Sequence, residues 1–192
     1  MGSPKHLLQH KYGRLLYEHT LERLNHALLK AKTFYISLRE ESQPTDIKLS
    51  SPHLASKNAK PLYDATSIST GPAAGLLAAH AYAPTTTWLT VGCDYPLPTN
   101  EALEQLCHEY IPLVACFGNI QGLAEPLLGV WAPEALSQLA RNVARGFLSP
   151  NKVMREMNGQ IFLPIDERWI KGANTPEDWE AVMGLARHEG VL

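Results

Sequence analysis

The sequence predicts an α/β domain in which a mostly parallel sheet lies between helices on both faces. Three observations carry that reading. Short runs rich in β-branched and aromatic residues, such as Thr33-Phe34-Tyr35-Ile36-Ser37-Leu38 and Trp88-Leu89-Thr90-Val91, alternate with stretches of helical periodicity. The segment 71–98 reads in order as loop, helix, strand and acid, the layout of a parallel crossover with its ligand edge. The 192 residues suffice for one compact core and are few for two, so residues 1–192 are read as a single domain.

Taken in order, residues 14–31 form a helix, because Tyr17, Leu21, Leu24 and Leu28 recur at spacings of four, three and four and give one apolar stripe facing the sheet. His19 and His26 lie on the same helix without a third ligand nearby and are read as surface histidines. A buried strand follows at 33–38. Between Ser42 and Lys60 the chain turns polar and aperiodic, with Pro44 and Pro52, which predicts a long exposed loop. Pro61-Leu62-Tyr63 is a short strand with Asp64 at its end. After the central segment come a helix over 99–110 capped by Thr99, strands at 112–117 and 122–131, helices over 133–146 and 151–157, a short strand at 161–164, and a last helix opened by Asn174-Thr175-Pro176-Glu177-Asp178.

Composition narrows the function. A net charge of -2 supplies no basic field for nucleic acid, and 45% hydrophobic with 19% charged residues is ordinary for a soluble globular chain. No apolar run approaches the roughly 20 residues that span a bilayer, and the N-terminus lacks a signal-peptide layout, so a cytoplasmic protein is expected. Cys93, Cys107 and Cys116 are odd in number and lack a Cys-x-x-Cys spacing; they are read as reduced, mostly buried thiols.

The central segment holds the candidate chemistry. Gly71 and Gly75 permit backbone geometry closed to other residues, and Pro72 suits the first helical turn, so a loop feeds a helix whose free N–H groups attract phosphates. Ala73, Ala74, Ala78, Ala79 and Ala81 let that helix approach a sheet closely. Asp94 sits just past the strand Trp88 to Val91, at the edge where open α/β sheets bind ligands. Lys5, from composition alone, is a solvated surface lysine.

Met1-Gly2-Ser3-Pro4-Lys5-x-Leu7-Leu8, Gly71-Pro72-Ala73-Ala74-Gly75-Leu76, Cys93-Asp94-Tyr95-Pro96 and Asn174-Thr175-Pro176-Glu177-Asp178, in this order, resemble the MobA-like nucleotidyltransferases, over nearly the whole chain. The type member of that family joins GMP from GTP to molybdopterin cofactor, and a sister enzyme uses CTP. The resemblance implies a three-layer, Rossmann-like nucleotidyltransferase fold. It implies that Lys5 contacts the triphosphate, that Asp94 binds Mg²⁺, and that Asp64, Gly71, Pro72 and Gly75 lie against the nucleotide. Asn174, Glu125 and Pro126 match the acceptor side. Each assignment has a plain structural counterpart: Asp94 accepting turn hydrogen bonds, Gly71 and Gly75 serving helix packing, Thr175 to Asp178 forming a helix cap, and Glu125-Pro126 forming a strand entry.

The family also carries a first β-strand and a glycine-rich loop of the type Leu-Ala-Gly-Gly-x-Ser-x-Arg directly before the Met-Gly-x-x-Lys segment, where this sequence starts. The expectation is therefore a natural start upstream, with the first strand missing here and a gap in the sheet. The alternative is a short and catalytically weak chain. A second departure is Leu38-Arg39, where the family tends to carry Asn. The expected activity is Mg²⁺-dependent transfer of a nucleotide from GTP or CTP to a phosphorylated acceptor, most closely a molybdopterin type, by a monomer or weak homo-oligomer. Sugar-phosphate or alditol-phosphate acceptors, or a non-catalytic remnant that binds nucleotide or a partner, are the alternatives.

Overall fold

Val114, Ala115, Cys116 and Phe117 are almost wholly withdrawn from solvent, and the strand they belong to is the middle of the fold. The structure is a computed structural model that describes residues 8–10, 14–28, 31, 33–39, 59–64 and 71–187. In chain order the elements are α1 (Leu16–Ala27), β1 (Phe34–Leu38), β2 (Ala59–Tyr63), α2 (Pro72–Tyr82), β3 (Trp88–Val91), α3 (Asn100–Glu109), β4 (Val114–Gly118), β5 (Ala124–Trp131), α4 (Pro133–Ala144), α5 (Pro150–Glu156), β6 (Gln160–Phe162), a 3-10 turn (Glu167–Ile170) and α6 (Pro176–Arg187).

Strand side chains alternate between two apolar layers, which fixes the three-layer plan. On one face Val114, Cys116 and Trp131 meet Ala73 and Leu76 of α2, Ala135, Leu136, Leu139 and Val143 of α4, and Val153 and Met154 of α5. On the other, Phe117, Leu128 and Val130 meet Ala102 and Leu106 of α3, Tyr95 and Trp169. The α1 stripe packs as its periodicity predicts: Tyr17 and Leu21 lie against Phe34 and Leu38, with Leu24 and Leu28 beside them. The alanine face of α2 also does its work, since Ala73, Ala74, Ala78 and Ala79 are buried; Ala81 is exposed.

The described strands pair as two sheets. β1 and β2 are parallel, and the second sheet has the order β3-β5-β4-β6. Between β1 and β3 the contact is made by side chains, with the Tyr35 ring meeting Trp88 edge-on at 5.3 Å. Within the four-stranded sheet β4 and β6 are parallel, while β5 is antiparallel to both β3 and β4. The expectation of a mostly parallel arrangement is thus met with β5 reversed. The reason is local: only residues 119–123 separate β4 from β5, and a connection that short makes a hairpin, not a crossover. Asn119 builds its tip by accepting from the Gln121 and Leu123 amides, both at 3.0 Å.

Other expectations need correction. Helix α1 is shorter than the predicted 14–31, and β2 begins at Ala59, inside the segment read as loop; the rest of that loop, 42–58, lies outside the described residues. All four residues of β3 are half-buried, not buried. Only Cys116 of the three thiols is buried; Cys93 and Cys107 are exposed. Thr99 caps α3 as predicted, accepting from Ala102 N.

His26 is a surface residue, but His19 is half-buried and stacks on His10 with ring centroids 3.8 Å apart, while His10 Nε2 donates to Pro96 O. Burial above all holds the His19 imidazole down to about 3; His10, Arg23 and Arg14 add to this and Glu22 opposes it. Below the unfolded value of 6.5 the unfolded chain takes up a proton that the folded chain refuses until about pH 3, so stability falls as pH drops through that window. Melting temperature measured from pH 7.5 down to 4.5 is expected to fall in the wild type and to fall less in His19→Gln.

Candidate active site

A turn leaves β3 at Gly92, closed by the Tyr95 amide donating to Gly92 O at 3.2 Å, and carries Cys93 and Asp94 past the strand end. The half-buried Asp94 carboxylate folds back over Gly92, where an added Cβ would stand 2.5 Å from Oδ1. Its backbone oxygen accepts from Ala173 N at 2.8 Å, which brings Asn174 to the same turn. Asn174 itself is exposed, and the residues after it form the cap expected of them. Thr175 Oγ1 accepts from Asp178 N at 3.0 Å, and the Asp178 carboxylate accepts from the amides of Asn174 and Thr175.

Glu125 approaches this turn from β5. Tyr95, buried beneath Asp94, donates its hydroxyl to Glu125 Oε2 at 2.5 Å. Burial, the Glu125 hydrogen bond, and the charges of Asp94 and Glu125 all push the Tyr95 phenol up, so it stays a donor. Pro126 plays a structural part: its carbonyl accepts from Trp131 Nε1 at 2.8 Å.

A second group of residues gathers at the ends of β1 and β2. Ser37 donates to Asp64 Oδ1 at 3.1 Å, and Asp64 N donates to Leu38 O. Burial raises the Asp64 carboxyl, opposed by the Ser37 hydrogen bond and the Arg39 charge. Gly71 has φ 90°, where a side chain would be strained, and serves as the N-cap of α2 with Pro72 in the first turn. A Cβ on Gly75 would stand 2.6 Å from Ser37 Oγ and 3.3 Å from Ser37 Cβ, so the helix passes close to the end of β1.

The structure therefore collects Asp94, Glu125 and Asn174 around one turn, and Asp64, Gly71, Pro72 and Gly75 around another. Lys5 lies outside the described residues. Ser37 and Tyr95 were missed by the sequence reading. Ser37 occupies the last-but-one position of a strand ending at the ligand edge, and Tyr95 fills the variable place in Cys-Asp-x-Pro.

Among the described residues no group of three or more His, Cys, Asp or Glu side chains is placed to hold a metal. A lone carboxylate suits Mg²⁺, which takes one or two carboxylates and completes its shell with substrate phosphates and water. Asp94 is such a carboxylate. Among the described residues no helix is long and apolar enough to cross a membrane.

An α/β layer architecture with an acid just past a strand end and a glycine-proline helix start suits a protein that handles nucleotides. The model of the MobA-like NTP transferase domain matches residues 1–159, and the chain belongs to that family of nucleotidyltransferases. Among the curated proteins the sequence finds no match. Among solved structures it is similar to molybdopterin-guanine dinucleotide biosynthesis protein A from Archaeoglobus fulgidus, with a TM-score of 0.75 and 20% identity over 97% of this chain and 92% of that one. It is also similar to a 4-diphosphocytidyl-2C-methyl-D-erythritol synthase, with a TM-score of 0.70 and 13% identity over 96% of this chain and 94% of that one. The 2-C-methyl-D-erythritol 4-phosphate cytidylyltransferase of Thermus thermophilus gives 0.64 and 15%, over 97% and 95%. At these identities the likeness is one of fold.

Proposed function

We propose that the chain transfers a nucleotidyl group from GTP or CTP to a phosphorylated acceptor of the molybdopterin type and releases pyrophosphate. The observation that carries this is the Asp94 turn, set past the end of β3, in a chain whose family model covers 159 residues. An acceptor phosphate oxygen attacks the α-phosphorus, the bond from that phosphorus to the bridging oxygen breaks, and pyrophosphate departs with the electron pair. The acceptor is already anionic, so no protein nucleophile or base is needed; the protein positions the two phosphates and offsets charge.

Asp94 would hold Mg²⁺, which when bound supplies positive charge to the phosphate oxygens. Gly71, Pro72 and the start of α2 face the nucleotide, with Asp64 and Ser37 on its base side, and Lys5 takes the triphosphate. Glu125, Pro126 and Asn174 face the acceptor. The protein acts in the cytoplasm as a monomer or weak homo-oligomer. The fold likeness to two methylerythritol-phosphate enzymes favours one second reading, an alditol-phosphate acceptor on the same site.

The test measures pyrophosphate release with GTP or CTP, Mg²⁺ and either molybdopterin or an alditol phosphate. Transfer to molybdopterin is the expected result. Nucleotide binding without pyrophosphate release would overturn the enzyme reading.

A further inference from the structure

The β5 strand departs from regular pairing where it reaches the site. Cys116 pairs with Gly129 while the next residue, Phe117, pairs with Glu125, so Pro126, Leu127 and Leu128 have no counterpart on β4. Bulges of this kind re-aim side chains beside active sites. This one is fastened at both ends. Trp131 Nε1 donates to Pro126 O at 2.8 Å from below, and Gly92 N donates to Leu127 O at 2.8 Å from the turn that carries Asp94. The bulge therefore turns Glu125 towards that turn.

Glu125 is met there by Tyr95. The phenol ring belongs to the buried apolar cluster that also holds Ala102, Leu106, Phe117 and Trp169, and its hydroxyl reaches the carboxylate. Both neighbours of Glu125 stay protonated at neutral pH. The Tyr95 phenol is pushed up, and burial first, then the Glu125 charge, push the Cys116 thiol up to about 12 against the Glu125 amide. Glu125 thus has its Oε2 occupied by Tyr95.

We propose that Tyr95 is a positioning residue for acceptor selection: its hydroxyl fixes the Glu125 carboxylate beside the Asp94 turn, so that Glu125 receives an acceptor bearing N–H or O–H donors. This rests on the proposed nucleotidyl transfer and adds to it the residue that orients the acceptor side. The hydroxyl is taken up by Glu125 and acts through it. A hydrogen bond to a charged group whose loss leaves that group misplaced is worth about a tenfold change in binding.

The experiment uses the whole protein. Tyr95→Phe keeps the packed ring and removes the hydroxyl; the acceptor KM is expected to rise about tenfold with nucleotide affinity, read by calorimetry, unchanged. In a Glu125→Ala background the same substitution is expected to add no further loss, because its effect passes through that carboxylate. Independently of turnover, proton NMR of the wild type is expected to show a slowly exchanging Tyr95 hydroxyl that moves in Glu125→Gln. An unprotected hydroxyl, an unchanged acceptor KM, or losses that add between Tyr95→Phe and Glu125→Ala would each overturn the proposal. A wild type that transfers to no acceptor overturns the parent reading and this one together, and is told apart because it shows before any substitution.

Discussion

Asp94→Asn is expected to lower nucleotidyl transfer on the order of a thousandfold while the melting temperature barely moves. The carboxylate stands past the end of β3 in a turn held by backbone bonds, Tyr95 N to Gly92 O and Ala173 N to Asp94 O. Neither bond involves the side chain, and Asn has the same shape over Gly92, so folding should change by no more than about 0.5 kcal/mol. The loss falls on chemistry. Without the negative charge the site no longer gathers positive charge against the triphosphate, and an amide oxygen is a weak substitute ligand for a hard cation. Steady-state turnover beside thermal unfolding of the same preparation checks this. A variant that unfolds early yet transfers normally would make Asp94 a turn residue only.

The sequence was most informative where one residue type does one physical job. The four-three-four spacing of Tyr17, Leu21, Leu24 and Leu28 can only make a helical stripe, and it packs on Phe34 and Leu38. Gly71 and Pro72 announce a helix start, and the start is there with φ 90°. Residues 174–178 read as a cap and form one. The reversal of β5 was legible in the five-residue gap between 118 and 124, yet alternation of strand and helix elsewhere drew attention away from it. The burial of His19 was not legible, because its partner His10 comes from outside the helix and its role depends on a stack made in three dimensions. Of the candidate site, Asp94, Asp64 and Gly75 could be placed from strand ends and loops. Tyr95 could not, since its contact with Glu125 bridges 30 residues and depends on a bulge that no periodicity marks.

That bulge also sets the largest effect expected on stability. Gly129 lies in β5, between β3 and β4, opposite Thr90 on one side and Cys116 on the other. Beside the bulge the two chains come unusually close: a Cβ on Gly129 would stand 2.4 Å from Ala115 O, 2.7 Å from Cys116 Cβ and 3.0 Å from Cys116 Cα. The first of these is backbone in a buried strand, so no rotamer change relieves it, and Gly129 O is further tied by Thr90 Oγ1 at 3.1 Å. Gly129→Ala must therefore spread β4 from β5 across the middle of the core. The expected loss is roughly 3 kcal/mol, which for a chain of this size lowers the melting temperature by roughly 10 °C. Because the shift would carry Glu125 with it, the acceptor KM should rise in whatever folded fraction remains. Gly184→Ala is the matched control. Gly184 lies within α6 with nothing inside 4 Å of the added methyl, so the same substitution there should raise stability by about 0.5 to 1 kcal/mol. Urea unfolding of both variants decides the matter: equal and small changes at the two positions would mean that β4 and β5 can part without cost and that the close approach at Gly129 is not what holds the bulge in place.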